Sequence, residues 1–382
     1  MATDNYSQFD EIRPFNPSEL PAVYDRLLAS EQFRKVLTYL YPGVDMQTIA
    51  GMMHRCRTNL EFQKALCYPF LEQLLAKASH GCDMDASAID SGKRYTFVSN
   101  HRDIVLDSAL LDKMLIDNGF TTTCEIAIGD NLLSLPWVRD LVRVNKSFIV
   151  ERSLQPRQML MASKRLSEYM HLVISDKNDN IWIAQREGRA KDSDDRTQPS
   201  VLKMMAMGGD RNPIESLKQM HIVPLAISYE YDPCDYLKAR EFQLKRDVEG
   251  WKKSPQDDVE SMRVGIMGFK GRIHYHCAPC VDDWLESIGS TLPKTELFNA
   301  LAEEIDKRIF SSYRLYANNY VAAHKLGDTD YSDKFTKEEE ETFMRYIDGQ
   351  LTKIDIPDKD EEYLRERLLV MYANPLFNSL KV

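Results

Sequence analysis

The sequence predicts an α/β fold: a mostly parallel sheet flanked by helices, with helical additions at both ends of the chain. In the middle of the chain, short β-rich runs alternate with helical stretches, as in successive βαβ units. On either side of that middle part, apolar residues recur at helical spacing without intervening strands. We therefore expect a helical region at 1–90, an α/β domain at 91–290 and a second helical region at 291–382.

The N-terminal region is predicted to be helical from Glu19 to Lys77, with a break at Tyr41-Pro42-Gly43. Apolar residues there fall three or four positions apart, which places them on one face of each helix. Ser79 to Gly92 is small and polar. We expect it to be a linker.

The predicted strands of the middle region are Tyr95–Val98, Glu125–Ile128, Ser147–Val150, Ile181–Ala184 and Ile222–Ile227. Between them we expect a helix that ends near Asn118, one at Pro136–Val144 and one that begins near Arg157. In such sheets, functional side chains collect at the carboxyl ends of the strands. Residues just after each strand are therefore the first candidates for a site.

Beyond about Leu292 the pattern is helical again. Thr336-x-x-Glu339 and Asp358-x-x-Glu361 each place a capping residue three positions before a glutamate. This spacing predicts that one helix starts after Thr336 and another after Asp358.

Composition excludes several protein classes. The chain has 382 residues and a formal charge of −10, which argues against a nucleic-acid partner because phosphate backbones attract a basic surface. It contains no apolar run of the roughly 18–20 residues that a membrane-spanning helix needs. Met1 to Asn16 lacks the pattern of a secretory signal, and seven cysteines without scaffold spacing suit a reducing compartment. We expect a cytoplasmic protein.

A local basic cluster lies between Arg139 and Arg165, a segment that contains seven basic residues and two acidic ones. Such a cluster can receive a phosphate group or an anionic lipid surface, so peripheral membrane contact stays open. A solvated helix face gives the same spacing.

Candidate catalytic residues follow the first predicted strand, in Ser99-Asn100-His101-Arg102-Asp103 and onward to Asp107. A histidine just before a helix feels the positive end of the helix dipole, which favours the neutral imidazole that a base requires. Asp107 is placed to hold the ring tautomer and to stabilise the imidazolium. The alternative is that Asp103 caps the helix and His101 only packs at its start.

Several motif blocks follow one another between Tyr95 and Val281. They are Asn100-His101-Arg102 with Asp107, Gly129-Asp130-Asn131-Leu132 with Ser147 to Ser153, Arg186-Glu187-Gly188-Arg189, Ile222 to Glu230, and the weaker Gly271-Arg272-Ile273-His274. In this order they resemble the glycerolipid acyltransferase superfamily, which includes glycerol-3-phosphate, lysophosphatidate and dihydroxyacetone-phosphate acyltransferases. Each block alone is common. Their shared order is specific.

The resemblance implies an O-acyltransferase that moves a fatty acyl group from acyl-CoA or acyl-carrier protein to the hydroxyl of a glycerol-phosphate-type or other lipid-precursor acceptor. His101 would be the general base and Asp107 its partner, and no cofactor or metal would be needed beyond the thioester. The implied substrate-binding residues are Arg102, Asn131, Arg152, Glu187, Gly188, Arg189, Lys191 and Pro224.

Two departures from the family pattern bear on these roles. Five residues separate His101 from Asp107 where the family has four, and the extra residue would rotate Asp107 by about 100° in a continuous helix. A histidine ahead of the helix, or a bulge near Asp103, would absorb this rotation. In addition, Ala190-Lys191 replaces the usual Ser-Arg. A catalytically impaired lipid-binding or regulatory protein on the same scaffold is therefore the alternative function.

Two further patterns have simpler interpretations. His274, His276, Cys277 and Cys280 are four potential zinc ligands within seven residues, but the segment is also typical of a strand that runs into a turn. Gly265, Gly268 and Gly271 match no phosphate loop closely, so we interpret them as a turn. Neither Cys124 nor Ser153 has a sequence-readable base beside it, which argues against both as nucleophiles.

Overall fold

The N-terminal part of the chain is a group of helices packed around their own apolar core. A computed structural model describes residues 6–152, 154–288, 292–328 and 330–382. The first helices are a 3-10 turn at Ser7–Phe9, α1 at Leu20–Ala29, α2 at Glu31–Leu40, α3 at Met46–Arg55, α4 at Asn59–Phe62, a π turn at Gln63–Cys67 and α5 at Tyr68–Ala78. Their buried side chains include Tyr24, Phe33 and Phe62.

Seven strands of the described residues form one sheet in the order β1-β7-β6-β2-β5-β3-β4. They are β1 at Cys82–Asp85, β2 at Thr96–Ser99, β3 at Cys124–Gly129, β4 at Ser147–Val150, β5 at Asn180–Ala184, β6 at Ile222–Tyr229 and β7 at Ile273–Cys277. All neighbouring pairs are parallel except β6 with β7. The carboxyl ends of β2 to β6 therefore share one edge of the sheet.

Helices connect the strands and cover both faces of the sheet. They are α6 at Leu106–Asp117, α7 at Pro136–Val144, α8 at Pro156–Ser175, α9 at Pro199–Met205, α10 at Pro213–Lys218, α11 at Asp235–Asp247, α12 at Pro255–Met267 and α13 at Asp282–Ile288. A short 3-10 turn at Asp130–Leu132 follows β3. One apolar core packs α6 against the sheet and the other packs α8 and α9 against the opposite face. The predicted fold class is confirmed.

Four helices complete the chain: α14 at Lys294–Ser311, α15 at Ala317–Lys325, α16 at Lys337–Thr352 and α17 at Glu361–Ser379. Buried polar contacts join the last two to α11. The Asp235 carboxylate accepts hydrogen bonds from the Tyr346 and Tyr372 hydroxyls, each at 2.7 Å. Burial raises the pKa of Asp235 to about 7.

Two local predictions were wrong. The expected linker contains β1, which lies at the edge of the sheet beside β7, because a short strand of polar residues carries no apolar periodicity. The last helix is capped by Asp360, whose side chain accepts from the Tyr363 amide at 3.0 Å, whereas Asp358 has φ +49°. The capping box of Thr336 and Glu339 is present as predicted. The predicted region boundaries near 90 and 290 stay predictions.

None of the described helices is both long enough and apolar enough to cross a membrane.

Candidate active site

The histidine and the aspartate that follow β2 are in direct contact. His101 Nδ1 lies 2.8 Å from Asp107 Oδ2. The Asp107 side chain is fully buried, and the His101 ring retains 14% of its exposure. The other ring nitrogen, Nε2, has no hydrogen-bond partner among the described residues. One nitrogen is therefore held in place and the other is free to accept a proton.

The loop between β2 and α6 explains how the longer spacing is accommodated. His101, Arg102 and Asp103 are not helical, and α6 begins only at Leu106. Asp107 Oδ2 also accepts from the backbone amides of Arg102 at 2.6 Å and Asp103 at 3.0 Å. The loop wraps around one carboxylate oxygen, so the extra residue adds a backbone contact and does not rotate Asp107 away.

Asp103 occupies the start of α6. Its Oδ1 accepts from the amides of Val105 at 2.9 Å and Leu106 at 2.8 Å, which satisfies donors that a helix start leaves unpaired. Burial raises the pKa of this carboxyl group, and the nearby Asp107 carboxylate adds to the effect. Asp103 therefore caps α6, as the alternative interpretation expected, and the role of His101 as a base stays a prediction.

The orientation of the His101 ring depends on the neighbouring strands. The ring packs edge-on against Trp182 of β5, with 5.5 Å between centroids. The Trp182 indole in turn donates to the Ser99 hydroxyl at 3.0 Å. The buried Asn100 side chain forms two hydrogen bonds with the backbone of Ile227 in β6, at 2.9 and 2.8 Å. Strands on both sides of β2 therefore fix the loop.

A glycine from α12 approaches the same loop closely. A Cβ atom at Gly265 would lie 1.9 Å from Asp103 Oδ2, so no larger residue fits there without movement. Gly265 is helical, whereas Gly268 caps that helix and Gly271, at φ +61°, forms the turn before β7. The interpretation of all three as a turn was therefore wrong at Gly265. The regular spacing of the three glycines in the sequence did not predict the contact between Gly265 and Asp103.

Arg102 points away from solvent. Its side chain is 6% exposed, and its guanidinium lies 2.8 Å from Asp195 Oδ2. The Tyr313 hydroxyl donates to the same Asp195 oxygen at 2.6 Å. The guanidinium of Arg102 is therefore paired with a carboxylate of the protein, and its implied role in substrate binding stays a prediction.

The side chains of Asn131 and Arg152 both lie close to Gly129. A Cβ atom at Gly129 would lie 2.5 Å from Asn131 Oδ1 and 2.8 Å from Arg152 Nε, so the absence of a side chain lets both groups approach the end of β3. Arg152 is also 3.8 Å from the Glu187 carboxylate, which is 70% exposed. The structure thus brings together residues that follow β3, β4 and β5.

The segment after β5 carries arginines without partners. Gly188 has φ +69°, a backbone conformation that favours glycine. Arg189 forms no ion pair or side-chain hydrogen bond with any other described residue, and its Nη1 is buried. The Nε atom of Arg186 is likewise buried without a partner. Sequence analysis included Arg186 in the motif but not among the implied binding residues.

Lys191 and Pro224 differ from Arg189 in their surroundings. The Lys191 ammonium lies 2.6 Å from the Glu241 carboxylate, and burial lowers the pKa of this lysine to about 8. Its implied role in phosphate binding stays a prediction, but the charge is already paired. Pro224 is buried in β6 and lies beside Val98 of β2. It therefore touches the strand that carries His101.

The segment between β5 and α9 is anchored by residues far along the chain. Sequence analysis did not predict these residues. The Asp306 carboxylate of α14 accepts from the Thr197 amide at 2.8 Å and from its hydroxyl at 2.6 Å. Tyr313 holds Asp195, as described above. Because isolated polar residues in a helical region have no local signature, these contacts became visible only in three dimensions.

The alternative zinc segment does not assemble its four ligands. His274 and His276 lie on one face of β7, and their Nδ1 atoms are 2.6 Å from Asp83 and 3.7 Å from Asp85. Among the described residues they belong to no group of three or more potential metal ligands. Cys124 is buried, which raises its pKa well above the usual value, and Ser153 lies outside the described residues.

Comparison with known proteins gives a family match to the middle of the chain. Residues 83–228 match the family model described as Acyltransferase. Comparison with curated protein sequences finds no match. Among solved structures, the chain is similar to the 1-acyl-sn-glycerophosphate acyltransferase PlsC from Thermotoga maritima, at 12% identity and a TM-score of 0.37, over 76% of this chain and 92% of that one. The family match covers the segment that carries His101, Asp107, Arg152 and Arg189.

Proposed function

We propose a reaction for this protein on the basis that residues 83–228 match the family model described as Acyltransferase. The protein transfers a fatty acyl group from acyl-CoA or acyl-carrier protein to a hydroxyl of a glycerol-phosphate-type acceptor. The observation that carries the proposal is the contact of 2.8 Å between His101 and a buried Asp107, beside a loop with unpaired arginines.

His101 acts as the general base in this proposal. Its Nε2 takes the proton of the acceptor hydroxyl while the oxygen attacks the thioester carbonyl carbon. When the tetrahedral intermediate collapses, the carbon–sulfur bond breaks, the acyl group stays on the acceptor oxygen, and the proton passes to the leaving thiolate. Asp107 stabilises the imidazolium and fixes Nδ1 as the protonated nitrogen.

The arginines that follow β4 and β5 orient the acceptor. Arg189 interacts electrostatically with Asp103 but forms no ion pair or hydrogen bond with a described carboxylate, so its guanidinium donors are available for a phosphate group. Arg152 is partly exposed and has only a long contact with Glu187, which an anionic ligand can replace. Asn131 contributes an amide beside Arg152, and Gly188 allows the turn that immediately precedes Arg189.

We propose that this chemistry needs no cofactor beyond the acyl thioester. An acceptor that already bears an acyl chain lies in a lipid surface, and the exposed Arg157 and Lys164 of α8 favour contact with anionic lipid. Other members of the predicted basic cluster are not available for this contact, since Lys146 is buried beside Asp179 and Arg165 is paired with Glu151. A cytoplasmic location at such a surface suits both substrates.

Product analysis tests the proposed function. Purified protein is incubated with a labelled acyl-CoA or acyl-carrier protein and, in turn, glycerol 3-phosphate, lysophosphatidate, glycerol and monoacylglycerol. We expect a labelled ester with a phosphorylated acceptor and much less with its unphosphorylated counterpart. Absence of transfer with every donor and acceptor would contradict the proposal and would favour a lipid-binding protein on this scaffold.

A further inference from the structure

The edge of the sheet opposite the acyltransferase site carries a second cluster of reactive side chains. His221 immediately precedes β6, and its carbonyl accepts from the Thr96 amide at the start of β2, at 3.2 Å. His101 follows the other end of β2. The length of the sheet therefore separates the two histidines.

Chain pairing brings three potential metal ligands together at this edge. The Val281 amide donates to the carbonyl of Ile222 at 2.9 Å, so the residues that flank Val281 lie next to His221. One ligand atom from each of His221, Cys280 and Asp282 lies within 4.8 Å of the other two. Among the described residues, no other set of three or more potential metal ligands lies this close together.

We propose that His221, Cys280 and Asp282 form a zinc site. An imidazole nitrogen, a thiolate and a carboxylate are ligands that Zn²⁺ accepts in tetrahedral geometry. The thiolate and the carboxylate together balance the charge of the ion, and the thiol proton is released on binding. Three protein ligands leave a fourth position.

Asp282 provides the observation that favours a ligand over a simple histidine–aspartate pair. Its Oδ2 lies 2.6 Å from His221 Nδ1, and its Oδ1 is buried without a hydrogen bond from any described nitrogen or oxygen, so that the Cys280 thiol is the donor available to this carboxylate. A thiol is a weak donor, so the buried carboxylate is poorly compensated, and a cation beside it removes that cost. In a tetrahedral site the Oδ2 and Nδ1 atoms would separate to about 3.3 Å, because each would bind zinc at about 2.0–2.1 Å.

The fourth position opens toward a groove. The groove lies between the starts of β2 and β6, and its lining includes all three ligands together with Asp90 and His171. His221 is half exposed on this side, so an ion can enter without opening the fold. Water completes the coordination from the groove, which is the arrangement of open zinc sites.

Cobalt substitution tests the site directly and independently of acyl transfer. The full-length protein, purified in the presence of chelator and reductant, is titrated with Co²⁺ and then with Zn²⁺. We expect one equivalent of Co²⁺ to produce a thiolate-to-cobalt charge-transfer absorption, and Zn²⁺ to displace it. Absence of that absorption in the wild-type protein would overturn the proposal.

Variants assign the ligands. We expect Cys280→Ser to abolish the charge-transfer absorption and Asp282→Asn to weaken Co²⁺ binding by about tenfold or more, whereas the matched control Cys82→Ser leaves both unchanged. Circular dichroism verifies that each variant is folded. Charge-transfer absorption that persists in Cys280→Ser, or disappears in Cys82→Ser, would contradict the assignment.

Discussion

The loop after β2 and the loop after β5 lie side by side at the same edge of the sheet, but they are built differently. The first is satisfied largely by its own residues, since Asp107 and Asp103 accept the hydrogen bonds of the amides next to them. The second depends on Asp306 and Tyr313, more than a hundred residues further along the chain. The backbone amides and the Asp107 carboxylate of the first loop are therefore satisfied locally, whereas the backbone of the second loop is held by residues far along the chain.

The largest effect we expect comes from breaking the local structure at Asp107. Asp107→Asn keeps an oxygen for the backbone amides but removes the charge that stabilises the imidazolium, so kcat should fall by about 10²–10⁴-fold. KM for the acceptor should change little. Steady-state kinetics measures both constants. The control is Asp117→Asn at the other end of α6, and an equal loss in the control would show that the effect is structural.

The next effect concerns the loop after β5. Arg189→Gln removes a cation whose guanidinium forms no ion pair or hydrogen bond with any other described residue, so KM for a phosphorylated acceptor should rise by about 10–100-fold. The rate with an acceptor that lacks phosphate should be unchanged. Arg263→Gln, on the exposed face of α12, is the matched control. A uniform loss with both acceptors would argue against phosphate recognition by Arg189.

A contact between α12 and the loop after β2 sharpens the comparison, because it is the point where a distant helix touches the local structure. Gly265→Ala would place a methyl group against Asp103 and should lower the free energy of unfolding by about 1–3 kcal/mol. Gly349→Ala, in the open part of α16, should raise it by about 0.5–1 kcal/mol. Chemical denaturation measures both. A Gly265→Ala variant as stable as Gly349→Ala would disprove the close packing.

The last prediction concerns the pH dependence of stability contributed by Asp306. Burial raises the pKa of this carboxyl group to about 6, above its usual value in an unfolded chain. Its contribution to stability is therefore greatest at low pH and is lost as the pH rises toward 6, by up to about 1.4 kcal/mol per pH unit. Asp306→Asn retains an oxygen acceptor for Thr197 and should flatten this dependence. Identical pH profiles of unfolding in the two proteins would contradict the assignment.

These predictions also show how far the sequence alone reaches. Strands β2 to β6 were predictable because they are apolar runs with clear boundaries, and His101 and Asp107 were candidates because local chemistry determines their contact. Strand β1 was missed because Cys82 to Asp85 is short and polar. The partners of Arg102 and Lys191 were not predictable, since Asp195, Tyr313 and Glu241 reach them through tertiary packing.

The cluster of His221, Cys280 and Asp282, at the edge of the sheet opposite His101, shows the same limit of prediction from the sequence. Sequence analysis grouped Cys280 with His274 and His276 because they are neighbours along the chain. The fold instead places Cys280 beside His221, through the antiparallel pairing of β6 with β7. Spacing along one strand therefore suggested the wrong partners for this cysteine.

The central claim is that His101 is the general base, and the rate of thiol release tests it most directly. Release of the free thiol from an acyl donor is followed with saturating acceptor for the wild type, His101→Ala and the control His276→Ala. The account predicts that kcat falls by about 10²–10⁴-fold in His101→Ala and is unchanged in His276→Ala. Acceptor-dependent thiol release that is undiminished in His101→Ala would contradict it.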